Sequence, residues 1–326
     1  MKIHKINHIG IAGAGALGTA LAQLAAAAKL QVTLWANSPQ LADDINRLHE
    51  NPRFLPGQAL LPSIQATVDA RALEAADAVL MVCPAQTLRH SLRQFRLRGP
   101  VVICAKGIEQ ATGLLMHEVC RDEAPAATFG MLSGPSFAAD VVRGLPCAVT
   151  IAFEDAGTAS TLCEALGSSS FRPYASTDVT GVAIGGAVKN VLAIACGIVD
   201  GRGFGESARA ALMTRGFAEM ARFGSALGAR LETLSGLSGF GDLVLSATSR
   251  QSRNFSLGVA LARGEPVTDA SPLAEGAATA PALVKRATSL GIQMPIAEAV
   301  ADIVAGHVDV DTAIRALLSR PLKSEH

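Results

Sequence analysis

Residues 235–258 read SGLSGFGDLVLSATSRQSRNFSLG and gather Asp242, Ser252, Arg253 and Asn254 in one glycine-punctuated segment. Such a cluster suits an anion. Arg253 offers a planar fork of donors to a phosphate, and Ser252 with Asn254 can complete its hydrogen bonds from one side of a turn or helix start. An isolated S-R-N triplet is more often a solvated arginine in a serine-rich loop, so the rest of the chain has to decide. Lys106 follows the strand-like run 101–105, at the C-terminal sheet edge where open α/β folds bind ligands. Lys189 is embedded in the apolar run 182–199, with Gly185, Gly186, Leu192 and Ala193 three and four positions away. Most helix lysines snorkel to water, but burial here would disfavour the ammonium and bring its pKa toward neutrality, the range useful to a general base. In SGPSFA, at residues 133–138, Gly134 and Pro135 turn the chain before Ser136. That turn presents N–H groups and a hydroxyl to a ligand, or else Ser136 caps a helix.

Hydride transfer would use a lysine of this kind for the hydroxyl proton, with a cofactor for the hydride. The N-terminal region holds the matching element. The apolar run 6–12 leads into Gly13-Ala14-Gly15-Ala16-Leu17-Gly18, and residues 19–28, TALAQLAAAA, have the alanine-rich composition of a helix. Gly13 would allow the tight turn, Gly15 the approach of a pyrophosphate, and Gly18 the packing of helix on strand. Past the second strand, 31–35, an Asp or Glu would read the adenosine ribose, yet the chain has Ala36-Asn37-Ser38. Asn37 and Ser38 can donate to either ribose form, so use of both NAD and NADP is expected.

Further strand-like runs at 78–83, 101–105, 128–132 and 147–152 alternate with segments that can be helical, which implies a mostly parallel, doubly wound Rossmann-type sheet. After residues 171–176 the texture becomes alanine-rich and helix-periodic. The expected organisation is an α/β dinucleotide-binding domain over 1–180 and an all-α substrate domain over 181–326. Residues 51–57 read as a proline-bounded excursion within the first.

Composition excludes several classes. Lys plus Arg equals Asp plus Glu at 28 each, so nothing draws the chain to nucleic acid or an anionic membrane. The six cysteines show no C-x-x-C pair and read as small buried residues in a reducing compartment, with no zinc site. The opening MKIHKINHIG has no apolar signal stretch, so a cytoplasmic protein is expected. Run 182–199 is long enough to suggest a membrane span, but Lys189 and Asn190 at its middle favour a buried helix instead.

In order and spacing these motifs resemble the bacterial NAD(P)-dependent sn-glycerol-3-phosphate dehydrogenases over nearly the whole chain. The resemblance rests on GAGALGTALA from Gly13, AKGIE from Ala105, SGPSFA from Ser133, GAVKNVLAIACGIVDG from Gly186, TRGFAEM from Thr214, SGFGDL from Ser238, SRN from Ser252 and AEGAATA from Ala274. It implies conversion between sn-glycerol 3-phosphate and dihydroxyacetone phosphate for glycerophospholipid synthesis, and a homodimer. It implies Lys189 as the proton-exchanging lysine. Lys106, Gly134, Ser136, Asn190, Asp242, Ser252, Arg253 and Asn254 would form the substrate pocket. Gly13, Gly15, Ala16, Leu17, Gly18, Asn37, Lys106, Ala138, Arg253, Leu273 and Glu275 would face the cofactor. The chain departs from the family where a hydroxyl residue and an aromatic often stand, here Ala16 and Leu17, and where Arg or His often stands, here Asn37. Ser246 and Ala247 replace a common threonine and cysteine, with little expected effect.

Two other readings remain open from residues alone. A dehydrogenase of similar plan acting on a 3-hydroxy acid or nucleotide sugar would also use a buried lysine beside asparagine, although SRN with SGPSFA suits phosphate better. A non-catalytic NAD(P) sensor would explain Ala16, Leu17 and Asn37 but leave Lys106 and Lys189 without purpose.

Overall fold

The computed structural model describes residues 5–265 and 273–321; the ends of the two expected domains, 1–4 and 322–326, lie outside them. The first part runs β1 (His8–Ala12), α1 (Ala16–Ala27), β2 (Gln31–Trp35), α2 (Pro39–Leu48), β3 (Glu50–Asn51), β4 (Leu55–Ala59), β5 (Ile64–Thr67), β6 (Ala78–Met81), α3 (Leu88–Leu92), β7 (Val101–Ile103), α4 (Met116–Glu123), β8 (Phe129–Ser133), α5 (Ala138–Val142), β9 (Cys147–Phe153), α6 (Ala156–Leu166) and β10 (Phe171–Ser176). Described elements beyond it are helical: α7 (Val179–Gly201), α8 (Gly205–Ala226), α9 (Leu231–Ser235), a π-helical turn (Leu237–Gly241), α10 (Asp242–Ala247), α11 (Arg253–Ala262), α12 (Glu275–Ser289), α13 (Pro295–Val304) and α14 (Val310–Leu318).

Eight strands form one sheet in the order β10-β9-β8-β7-β6-β1-β2-β5. Strands β1, β2, β5, β6, β7 and β8 run parallel, so their C-terminal ends share one edge. The order reverses beside β1, with β2 on one side and β6 on the other, which opens the crevice where such sheets take ligands. The doubly wound expectation holds, with one exception. β9 lies antiparallel to β8, Gly130 opposite Phe153. A parallel return usually runs through a crossover helix long enough to span the sheet. The link between β8 and β9 offers only the short α5, which packs on α1, and the chain re-enters from the same edge. The excursion at 51–57 proves to be a hairpin of β3 and β4.

Helix α7 is long and apolar enough to cross a membrane, yet its apolar window is wholly buried inside the protein. It serves as a core helix, as expected. One core cluster joins Met81, Ile103 and Met131 of the sheet to Val182, Val188, Leu243 and Phe255 of the helical part; the other, with Ile9, Leu34, Leu80 and Phe153, fills the face under α1. Where α7 crosses α11, a Cβ on Gly197 would strike the Phe255 carbonyl and one on Gly258 the Ile194 carbonyl. Backbone-to-backbone contact at this crossing holds the start of α11 beside the middle of α7. The cysteines are free, with Cys104, Cys120 and Cys196 buried as expected and Cys83, Cys147 and Cys163 only half-buried.

Candidate functional site

The glycine turn sits between β1 and α1 at the crevice. Gly13 has φ of +123° and a Cβ on it would strike the Val82 carbonyl, while a Cβ on Gly18 would strike the Gly13 carbonyl. A Cβ on Gly15 would meet nothing within 4 Å. Two of these glycines therefore answer to the protein's own packing, and the third borders open space at a helix start, as a bound pyrophosphate requires. Helix α1 begins three residues earlier than its composition suggests, because the Gly15 carbonyl already accepts the Thr19 N–H at 2.9 Å. Ala16 and Leu17 consequently lie in its first turn, half-buried in one cluster with Ala138 at the start of α5. Asn37 is exposed just past β2. Its neighbour Ser38 is N-cap of α2, its hydroxyl oxygen accepting the Leu41 N–H at 3.4 Å, which leaves its O–H proton to donate.

The chemical centre lies at the ends of β7 and β8, where α7 passes. Lys106 donates to the Asp242 carboxylate at 2.6 Å, and Lys189 lies 3.1 Å from its other oxygen. Lys189 also donates to Ser246 Oγ at 2.8 Å, and that hydroxyl donates back to Asp242 at 3.3 Å. Burial lowers the Lys189 pKa most, Asp242 raises it, and the Lys106 charge lowers it again, leaving it at about 8. Burial pushes Asp242 up, but the charges of Lys106 and Lys189 together hold it below the usual carboxylate range. An amine titrating near neutrality beside a fixed carboxylate can take or give a proton at working pH. Within the protein the Asp242 carboxylate pairs with both lysines and not with Arg253. It orients the lysines. Ser246, dismissed from sequence, touches the amine itself; its spacing of four from Asp242 on a helix was the signal.

Around this centre, the Gly134 carbonyl accepts from Lys106 at 3.4 Å and from the Ser136 hydroxyl at 3.0 Å. Ser136 does not cap α5, whose N-cap is Phe137. Ser252 caps α11 by accepting the Phe255 N–H at 3.3 Å, which leaves its O–H proton to donate. Arg253 is exposed and has no hydrogen-bond or ion-pair partner among the described residues, yet its charge reaches both Lys189 and Glu275. Asn254 is held in place by other protein groups. Its Nδ2 donates to Asn190 Oδ1 at 2.9 Å and its Oδ1 accepts the Gly276 N–H at 2.9 Å, while Asn190 donates to the Lys106 carbonyl at 3.2 Å. Both asparagines are buried, and their amides tie α11 and α12 to the loop of Lys106 by pairing with its carbonyl and with the Gly276 N–H.

Glu275 opens α12 without capping it. One carboxylate oxygen accepts the Ala85 N–H at 3.1 Å across the crevice; the other is buried with no partner among the described residues. Burial raises its pKa. Leu273, just before it, is exposed. An orphaned buried oxygen and an open glycine cradle fit the two ends of an extended dinucleotide.

Comparison with known proteins bears on which dinucleotide chemistry this is. Residues 8–159 match the model for the NAD-dependent glycerol-3-phosphate dehydrogenase N-terminus, and residues 178–315 that for its C-terminus. Glycerol-3-phosphate dehydrogenase [NAD(P)+] of Rhodospirillum rubrum is 55% identical, covering 98% of this chain and 94% of its own. The enzyme of that name from Parvibaculum lavamentivorans is 56% identical, covering 97% and 98%. A crystal structure of glycerol-3-phosphate dehydrogenase from Coxiella burnetii superposes with a TM-score of 0.90 at 35% identity, over 97% of this chain and all of that one.

Proposed function

We propose residue roles from one premise: the chain belongs to the NAD-dependent glycerol-3-phosphate dehydrogenase family. It is an NAD(P)-dependent oxidoreductase that interconverts sn-glycerol 3-phosphate and dihydroxyacetone phosphate, supplying glycerol 3-phosphate for glycerophospholipid synthesis. The nicotinamide, when bound, exchanges hydride with substrate C2. Gly13, Gly15 and Gly18 with Ala16, Leu17, Asn37 and Ala138 would hold the dinucleotide's phosphate and adenosine side, and Leu273 and Glu275 its other end.

Lys189 takes the proton from the C2 hydroxyl as the hydride leaves carbon, and returns it to the carbonyl oxygen in reduction. The observation that carries this role is the buried Lys189–Asp242 pair at 3.1 Å. Lys106, fixed by the same carboxylate, faces the substrate with the Gly134–Ser136 turn. Arg253, with the Ser252 hydroxyl, clamps the phosphate far from the reacting carbon, where binding energy can be turned into orientation. Asn190 and Asn254 keep these parts in register.

A division into a dinucleotide-binding domain over 1–180 and a helical substrate domain over 181–326 fits the change from strands to helices between Ser176 and Val179. A cytoplasmic homodimer fits free cysteines and the exposed apolar side chains Phe204, Leu231 and Phe240.

The test is oxidation of NADH and NADPH by purified protein with and without dihydroxyacetone phosphate. Turnover that depends on the phosphate ester is expected. None from folded protein would return the chain to the 3-hydroxy-acid or sensor readings.

A further inference from the structure

We infer that Asn51, beside the turn of the β3–β4 hairpin, is a positioning residue for the phosphate-binding turn; the inference rests on the dinucleotide reading above. Asn51 is fully buried, and both its amide hydrogens and its amide oxygen are engaged. Its Nδ2 donates to the Ala14 carbonyl at 2.9 Å and to Thr19 Oγ1 at 2.8 Å, and its Oδ1 accepts the Phe54 N–H at 3.0 Å. Only the last bond serves the hairpin. The other two leave it for the glycine turn and the first turns of α1.

The Ala14 carbonyl and the Gly15 N–H belong to one planar trans peptide, so they point in opposite directions. Holding the carbonyl on the Asn51 side turns the Gly15 N–H toward the other side. Gly15 itself borders open space there. Glycine accepts either sign of φ, so nothing local prevents this peptide from flipping and turning its N–H away from a ligand. The observed φ of −73° at Gly15 is one choice among several that glycine allows. Asn51 makes the choice, and Thr19 supports it, accepting from Asn51 while its hydroxyl reaches toward the same Ala14 carbonyl at 3.5 Å. The donor array for the pyrophosphate is therefore set by a residue more than thirty positions downstream, on a hairpin outside the main sheet.

The test uses Asn51→Asp in the full-length protein. It keeps the acceptor for Phe54 but sets a carboxylate oxygen against the Ala14 carbonyl. The Kd for NADH, read by fluorescence titration, and for ADP, read by displacing NADH, should both rise at least about tenfold, the loss of one well-placed donor to a charged group. The kcat at saturating NADH and the KM for dihydroxyacetone phosphate should stay within about twofold, since no group at the reacting carbon moves. A folded Asn51→Asp with unchanged Kd for both ligands overturns the inference. So does a loss confined to kcat. If Asn51→Asp does not fold, Thr19→Val decides: a Kd raised about threefold supports it, from a weakened hold on Asn51, and an unchanged Kd overturns it. Failure of the wild-type protein to bind NADH would instead sink the dinucleotide reading.

Discussion

Lys189 and Asp242 face each other at 3.1 Å inside the protein, and the same carboxylate holds Lys106 through its second oxygen at 2.6 Å. One anion thus serves two cations. The cluster carries a surplus positive charge whenever Lys189 is protonated, which favours the alkoxide that develops at C2 and, in the resting protein, favours the neutral amine.

This sets the pH dependence. With Lys189 at about 8, oxidation of glycerol 3-phosphate, which needs the free amine, should rise with pH through that value; reduction of dihydroxyacetone phosphate, which needs the ammonium, should fall through it. Asp242→Asn removes the main influence raising the Lys189 pKa, so both inflections should move to lower pH. Lys189→Ala should lose about 10²- to 10⁴-fold in kcat with cofactor affinity kept. Profiles of kcat/KM in both directions check this, and an inflection unmoved in Asp242→Asn would remove Lys189 as the titrating group.

Arg253 separates binding from folding. It is exposed and without a partner among the described residues, so Arg253→Ala should leave stability within about 0.5 kcal/mol. Its kcat/KM for dihydroxyacetone phosphate should fall by about 10²- to 10³-fold, in line with losing one partner of a charge-assisted pair. Activity on dihydroxyacetone, which has no phosphate, should not change. Lysine at this position should recover only part of the loss, because the fork geometry is gone. Equal losses on the two substrates would place Arg253 elsewhere than on the phosphate.

How much of this was legible in the sequence follows from how far apart the cooperating residues lie. The β1–turn–α1 unit is local, and its glycine spacing announced it. Lys189 stood out because a lysine in an apolar helix has to be accounted for. The partnership of Lys106 with Asp242 joins residues 136 positions apart, and no pattern in the chain encodes it. The ties of Asn254 to Asn190 and Gly276 were hidden because consecutive residues on a helix point in different directions: Arg253 outward and Asn254 into the contact with α7 and α12. The reversed direction of β9 was hidden for a similar reason, since strand patterns report burial and not pairing sense.

Glu219 of α8 makes a separate prediction about stability. Its carboxylate accepts the Ile296 N–H at 2.9 Å and the Ala297 N–H at 3.3 Å at the start of α13, from a buried position. Burial raises its pKa to about 7, and the two N–H groups only partly oppose that. The folded protein therefore holds this proton where the unfolded chain has lost it, between about 4.5 and 7. Its contribution is full below about 4.5 and is lost as pH rises through 7. The Tm of the wild type minus that of Glu219→Gln should decline from pH 5 to 8, as the glutamine cannot ionise. A difference that stays flat would mean that Glu219 is ionised throughout.

Cofactor preference turns on Asn37, at the exposed end of β2 where the adenosine ribose would be read. It carries no charge to repel a 2′-phosphate and none to attract one, and Ser38 beside it, the N-cap of α2, is likewise uncharged. Both cofactors should therefore support turnover, with kcat/KM values less than about a thousandfold apart, as nothing at this position supplies the several kcal/mol that a larger ratio needs. Asn37→Asp should shift the ratio toward NADH, and Asn37→Arg toward NADPH, each by about tenfold or more, the scale of one added charge interaction at a partly solvated site. Because the side chain is exposed, neither change should disturb folding, so Tm serves as the control. Steady-state assays with both cofactors on the three proteins decide it. A ratio that ignores both substitutions would move ribose recognition away from Asn37 and leave selectivity to groups deeper in the crevice.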